Sequence, residues 1–259
     1  MDRVILFHFH LFKNAGTSID AILEKNFKDK FVKREFNFYP YQKNIQEVIN
    51  WIKEEKDKIA FSSHTARLSN FKSLEQEGIK LIPIIFVRHP IIRIQSAYLF
   101  EREKQRNINT LATAIARNTN LKGYIEIRWH LPNDHQCANF HVHRFSDMFY
   151  EEEGDILTKA LKALNELPFV GLVERFEDSI KRLENLVKEY FPKFEAEVIL
   201  KNVQIDPKVS IEDRLKQIKQ KVGNKFYSML LEKNKEDLIF WEEVVKFYKK
   251  GGKFASNFT

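Results

Sequence analysis

The run Val4-Ile5-Leu6-Phe7, broken at Asn14-Ala15-Gly16 and followed by Ile19, Ile22, Leu23 and Phe27 at helical spacing, makes the chain open on a strand–loop–helix unit. A short strand that is apolar throughout belongs inside a sheet covered on both faces, which in practice is a parallel one. The pattern recurs. Ile59–Ser63, Lys80–Val87 and Phe169–Val173 read as further buried strands, with helical periodicity over 43–56, from Pro90 to about Arg106, over 155–166 and over 177–190. Strands alternating with helices predict an α/β fold with a mostly parallel central sheet between helical layers, and the tail from about Ser210 to Lys250 predicts a helical C-terminal region. Residues 108–150 read as short helical pieces without clear bounds.

In a sheet of this kind ligands bind beyond the carboxyl ends of the strands. Three segments with chemical potential stand at such ends. Lys13-Asn14-Ala15-Gly16-Thr17-Ser18 follows the first strand, where free N–H groups at a helix start attract anions, Gly16 admits close backbone approach, and Lys13, Thr17 and Ser18 add donors. A plain N-capped helix with an exposed lysine fits the same residues. Ser62-Ser63-His64 follows another strand, and an imidazole there suits a general base, although a histidine that only bonds its neighbours is the commoner case. Arg88-His89-Pro90 ends the strongest strand; Arg88 with the Ser96 hydroxyl at the start of the following helix suits a terminal phosphate, or else a surface arginine and a packed serine. Three such loops on one sheet edge would share one crevice.

The remaining features exclude more than they select. The 259 residues suit one large domain spanning 1–259, with no repeat or linker to divide them. The single cysteine, Cys137, excludes an intramolecular disulfide and a cysteine metal cluster, and favours a reducing, cytoplasmic setting. No stretch approaches the ~20 apolar residues of a membrane span, and no signal peptide is visible. The net charge of +7 attracts polyanions, but no nucleic-acid-binding signature accompanies it.

Taken together, the Lys-x-Ala-Gly-Thr-Ser loop, the Ser-x-His element and Val87-Arg88-His89-Pro90-Ile91-Ile92-Arg93-Ile94-Gln95-Ser96 resemble the sulfotransferases that use 3′-phosphoadenosine 5′-phosphosulfate (PAPS). Within them the chain is most similar to the carbohydrate branch containing the uronosyl 2-O-sulfotransferases, a likeness that Phe169–Ser179 extends and that spans about residues 4 to 250. The resemblance implies a P-loop-like three-layer α/β/α fold, PAPS as co-substrate leaving as adenosine 3′,5′-bisphosphate, a hydroxyl acceptor on a sugar, and no metal. It implies that Lys13 neutralises the departing phosphate oxygen, that Asn14, Ala15, Gly16, Thr17 and Ser18 surround the 5′-phosphosulfate, that Arg88 and Ser96 hold the 3′-phosphate, and that His64 is the base. It places late nucleotide contacts in 200–215, with Lys201, Asn202 and Lys208 as candidates. The chain departs from the family pattern in carrying His89 where aspartate is usual, Phe12 where proline is usual, and Asn139-Phe140-His141 for an Asn-x-Gln segment. A P-loop-like small-molecule kinase is the alternative, but the lysine precedes a single glycine instead of following the Gly-x-x-x-x-Gly of a nucleoside-triphosphate loop.

Overall fold

The computed structural model describes residues 3–197 and 209–249. The opening unit is β1 (Arg3–Phe9) and α1 (Gly16–Phe27). Then come β2 (Phe31–Lys33), α2 (Tyr41–Glu54), β3 (Ala60–Ser63), α3 (Lys72–Gln76), β4 (Ile79–Val87) and α4 (Pro90–Leu99). Short helices α5 (Leu111–Asn118), α6 (Leu121–Trp129) and α7 (Phe140–Ser146) fill the middle. After α8 (Ile156–Glu166), β5 (Gly171–Leu172) and α9 (Phe176–Lys188), the chain closes with α10 (Ile211–Val222), α11 (Asn224–Lys233) and α12 (Lys235–Lys249). No helix among the described residues is long and apolar enough to cross a membrane.

The five strands are all parallel, in the order β2-β3-β1-β4-β5. Alternation along β1 splits its side chains between two layers. Ile5, Phe7 and Phe9 pack with α2, α7, α8 and α12, while Leu6 packs with Ile19, Ile22 and Leu23 of α1 and Ile180, Leu183 and Val187 of α9. The expected three-layer α/β/α architecture is thus present. A third apolar cluster joins α4, α5, α6, α10 and α11 around Tyr98, Tyr124 and Phe226.

Three details differ from the sequence expectation. β2 has no counterpart among the expected strands, because three residues, with Phe31 and Val32 packed on opposite layers, leave no periodic signal. The strand expected over Phe169–Val173 pairs only at Gly171 and Leu172, opposite Phe86 and Val87. Pro83 lies earlier in β4, before β5 joins, where its missing N–H removes no bond from that side. The helix expected to reach Arg106 leaves α-geometry at Leu99 and continues as a π-turn over Phe100–Lys104.

Candidate active site

β3, β1 and β4 are neighbours, so His64, the Lys13–Ser18 loop and Arg88 leave the same edge of the sheet side by side. The first loop is not a side-chain-capped helix start. Ala15 holds the N-cap position in the left-handed region (φ 63°) and makes no capping bond. Lys13 is left-handed as well (φ 64°). Such strain in two non-glycine residues, of order 1–3 kcal/mol each, is characteristic of ligand-binding loops. Alternating backbone hands turn N–H groups into a concave, positive surface, and the N–H groups of Gly16 and Thr17 lie in the first helical turn, beyond reach of any intrahelical carbonyl.

Packing beneath the loop also demands the glycine at position 16. A Cβ there would lie 2.0 Å from Cδ2 of the His10 ring, so glycine is required by a buried imidazole packed on the loop. His8 and His10 project to the α1 side of β1, as Leu6 does, and meet Asp20. His8 Nδ1 lies 2.7 Å from Asp20 Oδ1, His10 Nδ1 3.2 Å from Oδ2, and Ser62 Oγ donates to Oδ1 at 2.6 Å. Burial pushes the Asp20 carboxyl up, but hydrogen bonds from His10 and His8 outweigh it and hold the group far below the usual range. The donor atoms of His8, His10 and Asp20 lie within 4.8 Å of one another, a spacing that suits a metal ion; here they satisfy each other.

A buried strut supports the loop from beneath. Asn14 Oδ1 lies 3.0 Å from His141 Nε2, and His141 Nδ1 lies 3.0 Å from Asp237 Oδ2, with His141 and Asp237 fully buried. The backbone N–H groups of His141 and Val142 also donate to Asp237, at 3.0 and 2.8 Å. The Lys13–Ser18 loop therefore rests on α7 and α12, a connection that the sequence does not announce.

Several basic groups converge at the crevice. Burial and the nearby Arg88 lower the Lys13 ammonium to about 8, and its Nζ rests 4.1 Å from the Phe100 ring centroid. Burial lowers Arg88 to about 10; Glu174 opposes the shift, and Arg214 and Arg93 add to it. Glu174 is held in turn by the His89 N–H at 2.8 Å. Arg93 is wholly buried, with its guanidinium carbon 3.9 Å from the Phe140 ring centroid, and its side chain donates to the Gln136 carbonyl. Ser96 is buried two turns into α4 instead of at its start, about 9 Å along the axis from Pro90. Lys201, Asn202 and Lys208 lie outside the described residues. Arg214, early in α10, is the cation from the 200–215 segment that the structure places near Arg88.

His64 is about half exposed at the end of β3, stacked on His10 with ring centroids 3.8 Å apart. Burial and His10 lower its pKa, with Glu35 acting in opposition. Its imidazole is therefore neutral, and able to accept a proton, at a lower pH than a free histidine.

A family model described as "Sulfotransferase family" matches residues 2–242. A protein of Archaeoglobus fulgidus described only as "Uncharacterized protein" is 58% identical over 253 residues, covering 97% of this chain and all of that one.

Proposed function

The chain belongs to the sulfotransferase family, an enzyme family that in general takes its sulfuryl group from PAPS, and we propose that it moves that group to a sugar hydroxyl with Lys13 and His64 at the reacting centre. The observation that carries this reading is the convergence of Lys13, Arg88, Arg93 and Arg214 beyond the carboxyl end of the sheet, where burial lowers Lys13 with Arg88 adding to it, and burial lowers Arg88 with Glu174 opposing and Arg214 and Arg93 adding. Such crowding is unfavourable in an empty protein and favourable around a ligand with phosphates at both ends. Lys13 to Ser18 hold the 5′-phosphosulfate, and Arg88 with Ser96 holds the 3′-phosphate. The whole of 1–259 acts as one domain, and buried Cys137 suits a reducing cytoplasm.

The reaction is an in-line displacement. The acceptor oxygen bonds to sulfur as the bond from sulfur to the bridging phosphate oxygen breaks. The hydroxyl proton passes to His64 Nε2, and the electron pair left on the phosphate oxygen is met by Lys13. A carbohydrate acceptor is favoured by the surface beside His64. Phe38 and Tyr39 are exposed aromatic residues there. Arg67 lies 5.2 and 4.9 Å from the Phe38 and Tyr39 centroids, and Arg144 both approaches Phe38 at 4.7 Å and donates to the His64 carbonyl at 3.0 Å. Aromatic faces of this kind suit the apolar faces of sugar rings, and the guanidinium of Arg67 behind them is paired with Asp147 at 3.2 Å.

The roles separate in a differential experiment. Arg88→Ala weakens binding of adenosine 3′,5′-bisphosphate by about 10- to 100-fold, from the loss of a charge-assisted phosphate contact. His64→Ala binds the nucleotide like the wild type and loses about 10²–10⁴-fold in turnover. Calorimetric titration and transfer of radiolabelled sulfate from PAPS to uronate-containing oligosaccharides measure the two effects. Full turnover by His64→Ala would refute the base assignment.

A further inference from the structure

Beyond its last paired residue, β2 continues alongside the carboxyl end of β3. Lys33 is in register with Ser62, and the Arg34 N–H donates to the Ser62 carbonyl at 3.2 Å. Two residues after Lys33, this carries Glu35 onto the turn that holds His64. The two oxygens of Glu35 are used differently. Oε2 accepts from the backbone N–H groups of His64 and Thr65, each at 3.0 Å, and from Thr65 Oγ1 at 2.9 Å. Oε1 lies 2.6 Å from His64 Nδ1 and takes only the longer branch, 3.3 Å, of the bond from the His64 backbone N–H.

We propose that Glu35 is the positioning residue of the reaction: it holds His64 in the tautomer that carries its proton on Nδ1 and leaves Nε2 free to take the acceptor's proton. This rests on the reading of His64 as the base. A carboxylate only accepts hydrogen bonds, so the nitrogen facing it must be the one that carries hydrogen. The same charge steadies the imidazolium that forms as the acceptor oxygen bonds to sulfur and adenosine bisphosphate leaves. Glu35 contacts neither PAPS nor the reacting atoms in this scheme. The other groups facing His64 do not fix its tautomer: His10 stacks on its ring, Asp20 acts at longer range, and Arg144 bonds only its carbonyl.

The asymmetry of the two oxygens makes Glu35→Gln a sharp test. The amide oxygen must take the place of Oε2, where two backbone donors converge, and this turns the amide N–H2 toward Nδ1. His64 then has to accept at Nδ1 and carry its proton on Nε2, the wrong form for a base. A variant that merely loosened the turn would average the two forms instead of reversing them.

The experiment uses full-length protein labelled with nitrogen-15 in histidine, with the His64 resonances assigned by comparison with His64→Gln. In the wild type, Nδ1 resonates as a protonated nitrogen and Nε2 as an unprotonated one. In Glu35→Gln the two exchange, turnover falls by about 100-fold or more, and adenosine 3′,5′-bisphosphate binds as before. The acid limb of kcat/KM moves to lower pH in that variant, because the carboxylate that raises the His64 pKa is gone. A wild-type His64 protonated on Nε2, or a Glu35→Gln spectrum without reversal, overturns the role of Glu35 and leaves the base assignment standing. Reversal with undiminished turnover overturns both.

Discussion

Lys13→Ala lowers turnover by about 10²–10³-fold, the scale of losing one group that meets developing charge, and it weakens adenosine 3′,5′-bisphosphate, whose 5′-phosphate carries that charge in full, more than it weakens PAPS. The reason lies in where the ammonium rests. In the free protein, Lys13 Nζ sits on the Phe100 ring, partly desolvated and repelled by Arg88, with a pKa of about 8. It gains most when a phosphate oxygen nearby becomes fully anionic, which happens as sulfur departs. A contact that strengthens in the transition state raises kcat more than it tightens ground-state binding. Its pH signature follows from the direction of the shift. Lys13 is charged below about 8 and loses its proton above, so kcat/KM, which reports the free enzyme, falls as pH rises through about 8. With the nucleotide bound, added negative charge favours the ammonium, and the basic limb of kcat lies at higher pH. Stopped-time assays across pH 6–10, fitted separately for the two constants, measure both limbs. A kcat/KM flat across that range would show that the ammonium is not required.

Asp237→Ala has the largest expected effect on stability, about 3–5 kcal/mol, because it removes the acceptor of a fully buried histidine and of two backbone N–H groups together. At 2–4 °C per kcal/mol for a chain of this size, the melting temperature falls by about 10 °C, read by calorimetry. Nucleotide binding weakens as well, since Asn14 then rests on an unanchored His141. A melting temperature close to the wild type would mean that the strut is dispensable. A similar fall in Asp237→Ala with unaltered nucleotide affinity would mean that the strut serves the core and not the loop.

The main elements are legible in the chain because β1 and β4 are buried on both faces and so appear as unbroken apolar runs. Arg88 and the Lys13 loop are legible because each interrupts such a run where parallel sheets bind ligands. What escapes is whatever depends on pairing between distant segments. Glu35 reaches His64 only because Phe31–Lys33 pairs with Ala60–Ser62, and three residues carry no periodicity to announce it. Asp20 and Asp237 look like surface charges, yet each left a signal. Asp20 lies next to Ile19 and three residues before Leu23, and Asp237 lies three residues before Phe240 and seven before Val244, on the buried stripes of α1 and α12. A carboxylate on such a stripe must find donors in the core, and here they are His8 and His10 in one case and His141 in the other. Gly16 carries a further constraint that the motif does not announce: its lack of a side chain also admits a histidine ring.

The central claim, that Lys13 to Ser18 and Arg88 form two ends of one nucleotide site, is tested most directly by titrating the wild-type protein with adenosine 3′,5′-bisphosphate in the presence of a chelator. Binding is expected to saturate without magnesium and to raise the melting temperature, by a stabilisation of about 2.7 kcal/mol at a hundredfold excess over Kd, with both effects reduced in Arg88→Ala. A protein that ignores adenosine 3′,5′-bisphosphate and is stabilised only by ATP with magnesium would contradict the claim.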